Sequence, residues 1–489
     1  MTFPAFYQPE QPESNPAGPD HPEKAPYVRM MEAARNAQPD WRRLSFPERA
    51  AYVRRLRKLL IRDKEEWIGL LGEEGAKTPM DALFTDLVTA AQGLKHYEKK
   101  AARMLRPRRY RRLGFLSERA RVLQEPVGTV LLVAPWNFPL QLALVPAAAA
   151  LMAGCTVLLK PSERLPRLNA KLRELLAETG FPAGVVQLAE GAREAVEGLI
   201  DAGPDKVLFT GGTEAGRSVY RRAAGRLIPC ELELGGKDAM IVCGDAHVKR
   251  AAQAAVWGAF LHAGQACLSV ERVLVHESVF AEFTEEAVRL TNSLRYGDRG
   301  WRDVGPLATR DGWEKAMAQL DEAVRLGAVV QTKGWEEGVD SPLFPPTVLT
   351  GVTPGMKIMQ EETFAPVLPV MTFREEREAV RLANAVPYGL SASVFTKDRK
   401  RALRLARELE TGSCSINNVI VPVSDVRLPF GGMKGSGFGR IRGREGLLAF
   451  CRTKTITRER GLAKSAVNWF PYRETAFPYM KAWLSRWYG

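Results

Sequence analysis

Apolar residues recur at helical spacing through WRRLSFPERAAYVRRLRKLLIRDKEEWIGLLGEE, from about Pro39, and again through AAQGLKHYEKKAARML. That period predicts helices. After Glu125 the rhythm changes. Short β-rich runs (GTVLLVA, TVLLK, VVQLA, KVLFT, MIVCG) alternate with helical stretches such as LALVPAAAALMAG, RLPRLNAKLRELLAETG and TEAGRSVYRRAAGR. Strands separated by helices imply βαβ units and a parallel sheet. A second stretch of this kind runs over about 235–430, through RVLVH, PTVLT, PVLPVMTF and SASVFT. The predicted fold class is α/β, with two sheets of doubly wound type and a small third element. Residues 1–26 carry seven prolines and no apolar period, so they read as an extended arm.

Composition narrows the function classes. With 489 residues, 45% hydrophobic and 26% charged, the chain has material for about three domains and is not of disordered type. Lys and Arg number 70 against 56 Asp and Glu, a net charge of +14. Such a balance fits a nucleic-acid or membrane-surface partner, or simply an Arg-rich proteome. Ten basic residues fall within 99–121 against the single acid Glu118. With little aromatic interleaving and no nucleic-acid motif, that run reads as a solvated or subunit-facing surface. The longest apolar run, 142–153, contains Pro146 and is shorter than the ~20 residues of a membrane span. Six cysteines (Cys155, Cys230, Cys243, Cys267, Cys414, Cys451) include no C-x-x-C pair, and the five histidines are scattered, so no metal site is expected. Few cysteines and no visible secretory signal point to a reducing, cytoplasmic setting.

Several segments carry candidate chemistry, each with a plainer alternative. TVLLK ends on Lys160 and runs into Pro161, Ser162 and Glu163. A Lys at the carboxyl end of a parallel strand sits where such sheets bind ligands, although a surface turn explains it equally. KVLFT enters the glycine-rich turn Gly211-Gly212-Thr213-Glu214-Ala215-Gly216, suited to bringing backbone amides near a phosphate but not a G-x-G-x-x-G. LELGGK places Glu233 before Gly235 and Gly236, where backbone can approach another group. HAGQACLSVERV sets Cys267 among small residues, with room for a substrate carbon, although a single buried Cys is most often structural. Asn137, in Pro135-Trp136-Asn137-Phe138-Pro139, can donate to an oxyanion or merely shape a turn.

The order PWNFP, KPSE, FTGGTEAG, ELGGK, GQAC, EETFAP and PFGGMKGSG, with 34 residues from Glu233 to Cys267, resembles the NAD(P)-dependent aldehyde dehydrogenase superfamily over about 48–459. The resemblance implies a Rossmann-like cofactor domain (27–110 and 128–234), an α/β catalytic domain (235–435), and a small β oligomerisation element with a C-terminal tail (111–127 and 452–489). It implies Cys267 as the nucleophile that forms a thiohemiacetal, then a thioester. Asn137 and the Cys267 N–H would form the oxyanion hole, and Glu233 would activate the hydrolytic water. Lys160 and Glu163 would meet the adenosine ribose, with Trp136 packed beside the adenosine, and the turn Gly211, Gly212 and Gly216 would lie by the pyrophosphate. Glu362 would hold the nicotinamide ribose, and Phe364 would pack near the nicotinamide.

The chain departs from the family pattern at Ala365, where Phe-Gly-Pro is usual, and at Gly212, where Ser is common. An acidic Glu163 on the ribose favours NAD over NADP. Phe138, Leu142, Val145 and Phe430 form an expected apolar substrate wall, and no Arg or Lys occurs over 137–159. Plain core packing is the competing reading, especially for Val145. The expected substrate is an apolar aliphatic or aromatic aldehyde, with a semialdehyde such as succinic semialdehyde as the alternative. A CoA-acylating enzyme is disfavoured by Glu233, and an inactive nucleic-acid binder by Cys267, Glu233 and Asn137 together. A homodimer or homotetramer is implied. The aromatic tail, which resembles that of class 3 and fatty-aldehyde members, covers a neighbouring subunit, packs on its own, or touches a membrane.

Overall fold

The computed structural model describes residues 25–110, 119–298, 300–335, 342–458, 465–466 and 468–489. The chain divides into two compact units, Met1–Met104 with Glu125–Arg452, and Leu105–Gln124 with Thr453–Gly489. Most of the proline-rich stretch 1–26 lies outside the described residues.

Two mostly parallel sheets organise the first unit. One has six strands in the order Gly437–Phe438, Cys230–Glu233, Lys206–Thr210, Thr129–Val133, Thr156–Lys160 and Val186–Leu188. Thr129–Val133, Thr156–Lys160 and Lys206–Thr210 are buried at every position, as expected of strands covered on both faces. The chain leaves Thr129–Val133 to one side for Thr156–Lys160 and returns on its other side as Lys206–Thr210. This reversal creates a crevice at the strands' carboxyl ends. The second sheet has seven strands, with Val270–His276, Asp238–Val242 and Ser391–Phe395 near its centre.

Helices pack on these sheets. Pro139–Ala153 begins on Pro139 and is followed by Gly154 in a left-handed conformation (φ 99°). Every residue in it is buried, which suits a helix apolar all round. Phe46–Arg62 starts with a capping box, Ser45 and Glu48 each bonding the other's backbone N–H. One element begins earlier than the apolar period predicts. Helix Ala25–Arg43 precedes and includes Pro39, and it seats Met31 and Ala34 in the core beside Leu131 and Leu158. Pro39 lies inside the helix near its end and, lacking an N–H, gives up one helical hydrogen bond.

The second unit is built on three strands, Arg108–Tyr110, Arg119–Pro126 and Cys451–Arg458, and helix Ala476–Tyr488. Trp469, Phe470, Tyr472, Phe477, Tyr479 and Trp487 are all exposed. Among the described residues no helix is long and apolar enough to cross a membrane.

Candidate active site

A cavity of about 490 Å³ opens at the carboxyl ends of the six-stranded sheet. Trp136, Lys160, Glu163, Gly211 and Gly212 line it. Lys160 Nζ lies 2.7 Å from Glu163 Oε2, and this pairing holds the Glu163 carboxyl below its ordinary range against the effect of burial. Gly212 is the N-cap of helix Thr213–Ala224 with no side-chain cap, so the first backbone N–H groups are left for a ligand. Thr210 Oγ1 is buried there without a partner among the described residues. Open amides at a helix start, an orphaned hydroxyl and a nearby cation fit a pyrophosphate-linked nucleotide such as NAD(P). Gly216 serves packing instead, since a β-carbon there would lie 2.4 Å from Leu234 Cδ2. Gly212 has an ordinary φ of −66° and open space around it, so nothing demands glycine at that position.

Glu233 ends the strand Cys230–Glu233, and the next four residues cross into Asp238–Val242 of the other sheet. Two glycines make that crossing possible. A β-carbon at Gly235 would lie 2.6 Å from Glu362 Oε2, and one at Gly236 would lie 2.3 Å from the Cys267 carbonyl oxygen. The crossing thus brings Glu233 and Cys267 toward each other. Glu233 is 3% exposed, and neither carboxyl oxygen has a hydrogen-bond partner among the described residues. Burial raises its carboxyl well above the ordinary range, with Arg440 and Arg442 opposing and Glu231 adding. Burial also pushes the Cys267 thiol up, reinforced by Glu362, Asp238 and Glu233, while Arg442 opposes. Asn137 Nδ2 donates to the Gln265 carbonyl at 3.0 Å, two residues ahead of Cys267, and its Oδ1 accepts from Phe138 N–H at 3.1 Å.

A buried pair fixes the next segment. Glu271 accepts from Lys237 Nζ at 2.7 Å, Thr363 N–H at 2.8 Å and Phe364 N–H at 3.0 Å. These bonds hold Phe364 at φ 60°. Ala365 is not among the left-handed residues, so the methyl that replaces the family's usual Gly is accommodated. Glu362 Oε1 accepts from Gly236 N–H at 3.0 Å. Burial and Glu271 raise the Glu362 carboxyl to about 7. The Trp136 ring sits 5.9 Å from Phe364 and 6.3 Å from His262, at the Phe364 end of the site.

Phe138, Leu142, Val145 and Phe430 are all buried, and Val145 packs on Gly93, whose β-carbon would lie 2.5 Å from Val145 Cγ2. Two cations from elsewhere in the chain reach this wall. Lys77 Nζ lies 4.2 Å from the Phe138 ring and 3.2 Å from Asp86 Oδ2. The other oxygen of Asp86 caps the helix carrying the wall, accepting from Leu140 and Gln141 N–H at 3.0 and 3.3 Å. Arg442 lies 6.0 Å from Phe430 and donates to Gln141 Oε1. Sequence reading singled out none of Lys77, Asp86, Gln141, Glu271 or Arg442. Lys77 and Arg442 are hydrophilic in type and sit in ordinary charged runs, so only the fold reveals their burial.

Comparison with known proteins identifies the family. The model of the aldehyde dehydrogenase family matches residues 17–456. The 4,4'-diapolycopene aldehyde oxidase of a Methylomonas species is 38% identical over 94% of this chain and 87% of its own. Succinate-semialdehyde dehydrogenase (NADP(+)) 1 of Mycobacterium tuberculosis is 34% identical over 85% of this chain and 91% of its own. The crystal structure of NAD-dependent aldehyde dehydrogenase from Sinorhizobium meliloti superposes with a TM-score of 0.85 at 33% identity, covering 91% of this chain and 89% of that one. With one family model spanning nearly the whole chain, and relatives and fold in accord, this protein belongs to the aldehyde dehydrogenase family and is an NAD(P)-linked oxidoreductase.

Proposed function

We propose that the protein oxidises an apolar aliphatic or aromatic aldehyde to the carboxylate, with NAD preferred, through Cys267, Glu233 and Asn137. The observation that carries this is Glu233: a buried carboxyl, both oxygens unbonded among the described residues, one short crossing from the segment that holds Cys267. An idle buried carboxyl is costly to a fold, and its use is as a base.

The Cys267 thiolate attacks the carbonyl carbon, and the oxygen takes the negative charge. The second Asn137 amide hydrogen and the Cys267 N–H stabilise that oxyanion. When bound, NAD(P) supplies a hydride acceptor, and the carbon held on Cys267 becomes a thioester. Glu233 then takes a proton from water, the water oxygen attacks the thioester, and the carboxylic product leaves as the thiolate is restored. Lys160 and Glu163 hold the adenosine ribose, with Gly211 and Gly212 by the pyrophosphate and Gly216 letting the helix close on Leu234. Glu362 would hold the nicotinamide ribose, Phe364 would flank the nicotinamide, and Trp136, which lines the cavity with Lys160 and Glu163 and also meets Phe364, would pack beside the adenosine.

Phe138, Leu142, Val145 and Phe430 form the substrate wall, and the Methylomonas relative, named for a diapolycopene aldehyde, supports this reading. A semialdehyde is the second reading. It is favoured by Lys77 against Phe138, by Arg442 against Phe430, and by the mycobacterial relative. Both cations are already engaged, by Asp86 and by Gln141, so a substrate carboxylate would have to displace a partner. The deciding experiment is kcat/KM for hexanal and for succinic semialdehyde. Hexanal should win, and a tenfold advantage for succinic semialdehyde refutes the apolar reading.

In this account 27–110 with 128–234 binds the cofactor, 235–435 carries catalysis, and 111–127 with 452–489 mediates assembly into a homodimer or homotetramer. The exposed aromatics of the second unit need a cover of that kind. Six free thiols suit a cytoplasmic, reducing setting.

A further inference from the structure

Arg442 lies outside the motifs that carry the family resemblance, yet it is 3% exposed. Its backbone adopts φ 65° and ψ 176°, an extended positive-φ conformation almost confined to glycine. The neighbouring Gly443 anchors it, accepting from Tyr97 Oη at 3.2 Å and donating to the Val426 carbonyl at 3.0 Å. The guanidinium donates to Gln141 Oε1 on the helix that begins just after Asn137. On its other side, Phe430 and Ile441 exchange both backbone hydrogen bonds at 2.8 Å. The next residue, Gly431, lies against the base: a β-carbon there would be 2.8 Å from Glu233 Oε1. A strained, fully buried arginine is thereby fixed between the segment that positions the nucleophile and the one that packs on Glu233.

We infer that Arg442 is a positioning residue for the reaction: a fixed cation, oriented by Gln141, beside which Cys267 and Glu233 ionise. The inference rests on the roles proposed above for those two residues. Burial raises the Cys267 thiol, Glu362, Asp238 and Glu233 raise it further, and Arg442 opposes them. Around Glu233, Arg440 and Arg442 work against burial and Glu231. Arg440 is held through Nη1, which donates to the Gly432 and Gly439 carbonyls at 3.0 and 2.6 Å. Burial lowers the Arg442 guanidinium to about 10, with Tyr97, Cys267 and Glu233 opposing, so it stays charged at neutral pH. A guanidinium keeps its charge even when buried, and only the thiolate is a competent nucleophile.

Alkylation of Cys267 by iodoacetamide in the full chain, mapped by peptide mass across pH, reads thiol ionisation without substrate or cofactor. In Arg442→Met the alkylation midpoint should move to higher pH, and the rate at pH 8 should fall about tenfold, the loss given by one pKa unit. Arg442→Lys should keep most of the rate. Gln141→Leu, which removes one of the groups that orient the charge, should fall between. The acid limb of turnover should also move to higher pH in Arg442→Met, because losing a cation raises Glu233. An unshifted alkylation profile in Arg442→Met overturns the inference. So does a defect confined to carboxylated aldehydes, which would make Arg442 an anion-recognition residue. Should Arg442→Met not fold, an unshifted Gln141→Leu profile overturns it equally. Cys267→Ala separates the two claims. Turnover that survives it defeats the role of Cys267, whereas a dead Cys267→Ala beside an unshifted Arg442→Met defeats only the role of Arg442.

Discussion

Gly236→Ala tests the geometry of the reaction centre with one methyl group. The new β-carbon would lie 2.3 Å from the Cys267 carbonyl oxygen, 3.0 Å from Asp238 Oδ1 and 3.3 Å from Leu390 Cβ. Carbon–oxygen contacts are comfortable at about 3.3–3.6 Å, so methyl and carbonyl must separate by ~1 Å. Gly236 is tied on one side by its N–H to Glu362, and Asp238 is held by its bond from Ser391 N–H, so the Cys267 segment is the part that must give. A misplacement of ~1 Å at the reacting atoms costs on the order of 10²-fold in rate, or about 2.7 kcal/mol of barrier. Overpacking should also lower stability by about 1–3 kcal/mol. The assay is kcat with hexanal and NAD, beside a thermal melt to establish folding. Gly69→Ala is the control, since a β-carbon at that helical position meets nothing within 4 Å. A folded Gly236→Ala with kcat within twofold of wild type would refute the argument.

Other outcomes follow from the same structure. Asp86→Ala removes the partner of buried Lys77 and the cap on Leu140 and Gln141. Breaking a buried pair costs about 3–5 kcal/mol, so a marked fall in Tm is expected, and a change under 1 °C would contradict it. Glu163 and a cofactor 2′-phosphate ~4 Å apart repel by at most about 4 kcal/mol at an effective dielectric of ~20, less here because Glu163 is half exposed and paired with Lys160. NAD should therefore give the higher kcat/KM, and equal values for NADP would show that Lys160 cancels the acid. The raised carboxyl of Glu233 also fixes a sign. Above the ordinary value of 4.5 the unfolded chain loses this proton while the folded chain keeps it, so stability falls as pH rises through that window. Glu233→Gln should accordingly melt higher than wild type at pH 8 and not at pH 4, a difference that melts at the two pH values would expose.

The alternation of β-rich and helical runs made both sheets legible, because strands buried on two faces need an unbroken apolar centre, as VLLV and VLF provide within Thr129–Val133 and Lys206–Thr210. Helix Ala25–Arg43 was not legible. Pro39 and the prolines before it mimic a linker, and only docking of Met31 and Ala34 into the core reveals the element. The site divides in the same way. Glycines at close approaches mark themselves, and Gly235 and Gly236 mark the crossing beside Glu233 in the sequence itself. Lys77, Glu271 and Arg442 gave no such signal, since a charged residue reads as solvated until the fold supplies its buried partner. A wall free of Lys and Arg in sequence proved to have two cations behind it in space. One-dimensional reading sees neighbours along the chain, and charges act across it.

Mass spectrometry of Glu233→Gln incubated with hexanal and NAD tests the central claim most directly. That variant keeps the thiol and loses the base, so the thioester should form and then persist. The expected result is one hexanoyl group per chain, mapped to the Cys267 peptide, with a burst of about one NADH per site followed by slow turnover. An unmodified Cys267, or an acyl group on a different cysteine, would contradict it.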